Sequence, residues 1–74
     1  MKVNSEEREF LIQLGKRIAS LREQAGLSSA ETARRLFMER SNYSRIETGN
    51  TNPTSLTLWN LSKIIGCSVG EFFK

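Results

Sequence analysis

Polar side chains that can make directional hydrogen bonds are grouped on one side of residues 40–48 in this 74-residue sequence. At 100° per residue, Tyr43, Ile46 and Glu47 share a side that can pack against a neighbour. The other side carries only hydrogen-bonding groups: Arg40, Ser41, Ser44, Arg45 and Thr48. Arginine and serine can hold phosphates or bond to base edges, and a helix of this diameter fits the major groove of B-form DNA. The alternative is a solvated polar face, which is the more common reason for such a pattern. DNA recognition is favoured here because this helix is short, follows a capped helix and lies in the most basic part of the chain.

Two predicted helices with a tight turn between them would position these side chains. Ser28 followed by Glu31 predicts a capping box at the start of a helix over residues 29–36, because both side chains can satisfy amide groups of the first turn. A second helix is predicted over residues 40–48. It should end at Gly49, since glycine adopts the left-handed conformation and the following Asn, Thr and Pro residues cannot continue a helix.

Three further helices are predicted around this pair, over residues 5–25, 55–65 and 69–73. Asn4 with Glu7 is a cap for the first, Thr54 caps the next, and Ser68 with Glu71 is a capping box for the last. No alternation of apolar and polar residues is long enough to indicate a strand. We therefore expect a single all-α domain over residues 1–74, with a core near the lower size limit for independent folding.

Positive charge is concentrated around the predicted helix pair. The chain has eleven Lys and Arg against eight Asp and Glu, which gives a formal charge of +3. Residues 16–45 hold seven of the basic residues and only three acidic ones. This distribution is typical of an electrostatic footprint for phosphates.

Catalytic and metal-binding constellations are missing from the sequence. There is no histidine, the acidic residues are not paired, and the one cysteine, Cys67, has no evident base near it. We interpret Cys67 as a small core-filling thiol, since a single cysteine makes neither an internal disulfide nor a multi-cysteine metal site. The sequence has no secretory segment and no apolar run of about twenty residues, so we expect a cytoplasmic protein with no membrane partner. We also expect that it is not an enzyme and that it binds no cofactor, metal or small-molecule ligand.

Segments across nearly the whole chain match one known pattern: LGKRIASLRE in the first predicted helix, GLSSAETA in the second, SRIETG at the end of the third, NP before the fourth and IIGCSVGEFF at the end. They resemble the helix-turn-helix of the lambdoid phage repressor and Cro family, also called the XRE family. The resemblance covers roughly residues 14–73. It implies a compact five-helix, lambda-repressor-like DNA-binding domain that acts as a transcriptional regulator, such as a phage-type repressor, a restriction-modification controller or an antitoxin.

The resemblance also implies roles for individual residues. The residues implied to read base edges are Arg40, Ser41, Ser44 and Arg45, of which arginine can make a bidentate pair with guanine. The residues implied to bind phosphates are Ser29, Asn42, Asn50 and Asn52. Ser29 stands where the family usually has a phosphate-binding Gln, so its shorter side chain or its amide would make that contact.

Arg22 and Glu47 resemble a buried ion pair of several family members. Arg22 flanks the apolar stripe of the first predicted helix, and Glu47 shares the packing side of the third with Tyr43 and Ile46. Both are therefore expected where two helices meet. The alternative is two solvated charges, whose pairing contributes about 0 to 1 kcal/mol.

Leu56 and Trp59 lie with Lys63 on one side of the fourth predicted helix, away from its core face. A large aromatic ring is thus left to be covered, and we expect it to contribute to a homodimer. The resemblance implies that such a dimer binds a palindromic operator whose half-sites lie roughly one helical turn, ~34 Å, apart. The alternative is that Trp59 packs on Phe72 or Phe73 within one monomer.

The turn departs from the family pattern at two positions. Phe37 stands where Gly or Asn is common, and the left-handed backbone costs a bulky residue roughly 1 kcal/mol or more. Either the turn differs, or Phe37 accepts strain in exchange for burial of its ring. Glu39 occupies the N-cap position where Ser or Thr is common. These departures, with the shortened Ser29, support the second functional hypothesis, a protein-interaction module of the same fold that does not read DNA.

Overall fold

The computed structural model describes residues 2–74, which form four α-helices and a short 3-10 helix. Their bounds are α1 Ser5–Gln24, α2 Ser29–Arg35, α3 Arg40–Glu47, α4 Ser55–Ile65 and the 3-10 helix Val69–Phe73. Residues 2–74 contain no strand, so the predicted all-α class is confirmed. The first four predicted helices are present to within one residue at each end.

The fifth predicted helix is the part of the fold that was wrong. Residues Val69–Phe73 form a 3-10 helix, and Ser68 makes no side-chain cap bond to it. Five residues are little more than one turn, and short segments of this length favour the tighter 3-10 pattern. The amide of Glu71 accordingly donates to the carbonyl of Ser68, three residues back, at 3.1 Å. The Glu71 carboxylate binds Arg17 and Lys74, so it is not used for a capping box.

The helix starts follow the local sequence more closely. Asn4 and Glu7 form a complete capping box at α1, with bonds of 2.8 and 3.0 Å. Thr54 caps α4 through the amide of Thr57 at 3.1 Å. Only half of the box predicted at α2 forms: the Ser28 hydroxyl accepts from the amide of Glu31 at 3.0 Å. The Glu31 carboxylate turns instead to Arg34 and Arg35, because two cations one turn away attract it more strongly than a neutral amide.

The core is formed where the four α-helices and the 3-10 helix converge. Its buried apolar residues are Leu11, Leu14, Ile18, Ala33, Tyr43, Ile46, Leu58, Leu61 and Phe72. Phe72 comes from the 3-10 helix, which therefore closes the core in spite of its short length. Thr32 is also fully buried, and its hydroxyl donates to the carbonyl of Ser28 at 2.9 Å. That bond satisfies the hydroxyl of this buried side chain.

Gly15 lets α1 approach the end of α3 at backbone distance. A Cβ atom built on Gly15 would clash with the carbonyl oxygens of Ile46 and Glu47. A Cβ on Gly49 would likewise lie 2.8 Å from Ile12. The middle of α1 is thus pressed against the last turn of α3, which fixes the position of α3 relative to the core.

Each of the four α-helices is followed, within two residues, by a residue of positive φ. After α2 that residue is Phe37. The other three are Gly26, Gly49 and Gly66. Phe37 has φ 57°, and the amide of Met38 donates to the carbonyl of Ala33 at 2.9 Å, which is the bond of a Schellman motif. The turn therefore keeps its left-handed conformation. The suggestion that Phe37 is strained in exchange for burial is wrong, because its side chain points out of the turn and is 98% exposed.

No helix within residues 2–74 is long and apolar enough to cross a membrane. No group of three or more Asp, Glu or Cys side chains in this range is placed to hold a metal ion.

Candidate nucleic-acid interface

Helix α3 has one buried side and one exposed polar side. Tyr43 and Ile46 are fully buried against the core. The residues predicted to read bases are all exposed on the opposite side: Arg40, Ser41, Ser44 and Arg45. Asn42 is exposed beside them. The structure therefore brings the predicted reading residues together on one face that faces away from the core.

A buried hydrogen-bond network fixes the orientation of that face. The Arg22 Nε donates to Glu47 Oε2 at 2.7 Å, and its Nη2 donates to Oε1 at 3.2 Å. The Arg22 Nη1 donates to the carbonyl of Leu27 at 2.8 Å, and the Tyr43 hydroxyl donates to the Glu47 carboxylate. The Arg22 and Glu47 side chains are only 11% and 14% exposed. The network ties α3 to α1 and to the loop that precedes α2.

The network also explains two pKa shifts. The hydrogen bond to Glu47 raises the pKa of Arg22, although burial acts in the opposite direction. Burial raises the pKa of the Tyr43 hydroxyl well above its usual value, and the neighbouring Glu47 carboxylate raises it further. Tyr43 therefore stays a neutral donor to Glu47, while Arg22 stays a cation.

The loop after α3 carries two of the predicted phosphate-binding residues in different settings. Asn52 is exposed and lines a shallow groove of about 260 Å³ together with Asn42 and Arg45. Asn50 is held by its neighbours: its Oδ1 accepts from Arg8 Nη2 at 2.6 Å, and its Nδ2 donates to Thr48 Oγ1 at 2.9 Å. The loop thus extends the polar surface of α3 past its C-terminal end.

Ser29 and Glu39 lie at the two helix starts of the pair. Ser29 is the first residue of α2 and is half-buried, next to the Ser28 cap. Glu39 is the N-cap residue of α3 and makes no side-chain cap bond. A carboxylate at the start of α3 therefore adds negative charge beside Arg40 without a hydrogen bond to the amides of the first turn.

Residues 13–71 match the family model described as a helix-turn-helix domain. This chain belongs to that helix-turn-helix family. The predicted resemblance to XRE-type regulators is thereby confirmed, and α2 and α3 are its helix pair.

Sequence and structural relatives of this helix-turn-helix protein agree with that assignment. The HTH-type transcriptional regulator PuuR of Escherichia coli (strain K12) is 39% identical over 59 residues, which are 80% of this chain and 32% of PuuR. The chain thus spans about a third of the length of PuuR. The restriction-modification controller protein C.AhdI of Aeromonas hydrophila has a TM-score of 0.83 at 26% identity, over 88% of this chain and 98% of that one. An HTH_3 family transcriptional regulator of Vibrio cholerae has a TM-score of 0.79 at 30% identity, over 90% of this chain and 38% of that one.

Several basic residues of the helix-turn-helix protein are neutralised by partners. Arg34 and Arg35 both bind Glu31 at 2.6 and 2.7 Å, and together they lower the pKa of its carboxyl to about 2. Within residues 2–74, Arg40 and Arg45 take part in none of the ion pairs. The positive charge of the α3 face is therefore available to a ligand.

A second exposed surface lies on α4. Leu56 is 65% exposed and Trp59 is 49% exposed, with Lys63 Nζ 4.3 Å from the centre of the Trp59 ring. Phe73 is engaged elsewhere, since its ring stacks on Phe10 with 6.1 Å between centroids. About half of the Trp59 surface is thus accessible in the monomer.

Two residues that shape the site were missed at the level of sequence. Gly15 lies in the middle of α1, and a glycine inside a helical pattern is itself a signal of close packing. Arg8 contacts Asn50 from 42 positions away in the sequence, and no local pattern indicates that contact.

Proposed function

We propose that this chain is a sequence-specific regulator that binds double-stranded DNA and reads the major groove with α3. The observation that carries the proposal is the exposed Arg and Ser face of α3, held in place by the partly buried Arg22–Glu47 pair. Membership of the helix-turn-helix family supports it, as does the similarity to PuuR, a transcriptional regulator.

Base reading falls to the exposed side chains of α3: Arg40, Ser41, Ser44 and Arg45. Each arginine can donate two hydrogen bonds to a guanine, and each serine can donate or accept one. Because α3 is anchored on its opposite side, these groups meet the base edges in a fixed register.

Phosphate contacts would flank this face on both sides. Ser29 lies at the start of α2, and Asn42, Asn50 and Asn52 lie on or after α3. Short hydrogen-bonding groups next to a reading helix are suited to the phosphates that border a major groove. Such contacts set the position of α3 without reading sequence.

We further propose a homodimer that binds a palindromic operator. The exposed Leu56 and Trp59 support it, because a half-exposed indole beside a leucine is typical of an interface anchor. One copy of α3 reads only about half of a site, and two copies related by a two-fold axis would read both halves.

Selection of bound sequences from a random pool of duplex DNA tests the function. We expect enrichment of a palindromic motif with two half-sites about one helical turn apart. Binding to a random-sequence duplex at low salt is the accompanying measurement. If the folded protein bound no duplex at low salt, the DNA-binding function would be excluded, and the protein-interaction module would replace it.

A further inference from the structure

The first two turns of α1 lie outside the segment that matches the family, yet they contact the loop after α3. The family match begins at residue 13, whereas α1 begins at Ser5. Ile12 lies against the backbone of Gly49, and Arg8, four positions earlier and so on the same side of α1, reaches Asn50. This part of α1 therefore forms one wall of the proposed DNA-binding surface.

Arg8 and Asn50 together present several hydrogen-bond donors at that wall. The Asn50 amide is oriented by two bonds, so its oxygen faces Arg8 and its nitrogen faces Thr48. One amide proton goes to Thr48, which leaves the second for another acceptor. Arg8 is exposed, and its guanidinium has five donors, of which Nη2 supplies one to Asn50. A cation with a neighbouring amide donor is suited to a phosphate oxygen.

The surrounding charges make Arg8 decisive for this wall. Glu6, Glu7 and Glu9 are exposed on the same two turns, and Arg8 is the only cation between Ser5 and Ile12. Glu6 and Glu7 line a groove together with Asn52. Three carboxylates against one cation leave these turns acidic overall, so Arg8 is the one charged group on them that can attract a phosphate.

We propose that Arg8, together with Asn50, binds a phosphate of the DNA backbone and so extends the interface beyond the segment shared with the family. The inference rests on the proposed DNA-binding function. Its consequence is that Arg8 contributes to affinity for every sequence and to the preference for none.

The salt dependence of binding to a random-sequence duplex tests this contact. Each neutralised phosphate contributes about 0.9 to the slope of log K against log salt concentration. We expect the Arg8→Gln variant to bind with a slope that is shallower by about 0.9 per bound protomer. Arg8→Lys should keep the wild-type slope, because it keeps the charge.

Lys16→Gln is the matched control. Lys16 is exposed on α1 but lines the groove next to Arg17 and Phe73, on the side of the 3-10 helix. We expect its slope to equal that of the wild type, and thermal unfolding should show that both variants are folded.

Two results would overturn the inference and leave the proposed function intact. In one, Arg8→Gln binds with the wild-type slope and affinity. In the other, Arg8→Gln binds more weakly by the same factor at every salt concentration, which would make Arg8 a residue that only positions Asn50. A wild-type protein that bound no duplex would instead overturn the proposed function itself.

Discussion

Glu47 accepts hydrogen bonds from two side chains that lie on different helices. Arg22 reaches it from α1 and Tyr43 from the preceding turn of α3. A third Arg22 donor, on Nη1, bonds to the carbonyl of Leu27. Within residues 2–74 no buried side-chain polar atom lacks a partner. A buried ion pair is tolerated when its hydrogen bonds are satisfied in this way, and the loss of one partner leaves the other charge uncompensated.

We therefore predict that each single substitution in this pair lowers the free energy of unfolding more than the double substitution does. Arg22→Met and Glu47→Leu should each lower the free energy of unfolding by about 3 to 5 kcal/mol, and the double variant should lose less than either. Urea unfolding of the three variants measures this. Small and additive losses would show that the pair contributes no more than exposed charges do.

Substitution of the α3 arginines should change the base preference of DNA binding, whereas substitution of a peripheral lysine should not. Arg40→Ala and Arg45→Ala should each cost about 1 to 3 kcal/mol of specific binding and relax the preference at one base pair. Lys16→Ala should leave the preference unchanged. Selection from a random duplex pool with each variant is the measurement, and an unaltered preference in both arginine variants would place the reading face elsewhere.

The ends of the four α-helices are similar elements built from different residues. In each, an amide bonds to a carbonyl five residues back: Leu27 to Arg22, Met38 to Ala33, Asn50 to Arg45 and Cys67 to Ser62. Glycine supplies the positive φ in three of them, and Phe37 supplies it in the fourth. The bonds of the motif impose the conformation on whichever residue is present. Phe37 gains no burial within the monomer in return.

Phe37→Gly should consequently stabilise the monomer. Relief of the left-handed strain outweighs the greater entropy of glycine in the unfolded chain, for a net gain of about 1 kcal/mol. Urea unfolding at low protein concentration measures the monomer, with Phe10→Gly as a control at an exposed phenylalanine without positive φ. Destabilisation by Phe37→Gly would mean that the ring has contacts that compensate for its strain.

Glu31 makes a contribution to the stability of the fold that depends on pH. Hydrogen bonds from Arg34, and then from Arg35, lower the pKa of Glu31 from 4.5 to about 2. Because the folded-state pKa is the lower one, this contribution is present above pH 4.5 and is lost as the pH falls to about 2. The Glu31→Gln variant lacks this contribution at every pH. The difference between its melting temperature and that of the wild type should therefore shrink as the pH falls from 4.5 to about 2. A constant difference between the two proteins from neutral pH down to pH 2 would exclude this origin.

At the scale of the whole molecule, DNA binding and dimerisation are proposed for two different exposed surfaces. The polar face of α3 and the loop after it form the proposed DNA-binding surface, and Leu56 with Trp59 on α4 forms the proposed dimer surface. The two surfaces are formed by different helices, so a substitution on one should leave the other intact. The pairing of Phe10 with Phe73 makes a third aromatic site on α1, which serves as a comparison.

Trp59→Ala should weaken self-association and leave the fold intact. An aromatic anchor of an interface typically contributes about 2 kcal/mol or more, so the dimer should dissociate at higher protein concentration. Sedimentation equilibrium, with and without a palindromic duplex, measures this. The control is Phe10→Ala, which removes an equally exposed ring from another surface. Equal association of the wild type and both variants would remove Trp59 from the interface.

The sequence by itself determined the four α-helices, the helix pair and the composition of the exposed face of α3. Those features depend on residues within four positions of one another, such as the Asn4–Glu7 box and the glycines after α1, α3 and α4. Apolar periodicity likewise identified the buried side of α3, because a helix of known pitch leaves only one side for Tyr43 and Ile46.

Only the tertiary structure decided which side chains are covered by other helices. The ring of Phe37 is left exposed by all of them. The Arg8–Asn50 contact joins residues 42 positions apart, and Gly15 matters because α3 crosses α1 at that residue. These outcomes depend on the distances between helices, which local propensity does not encode, because they are set by the packing of the whole core.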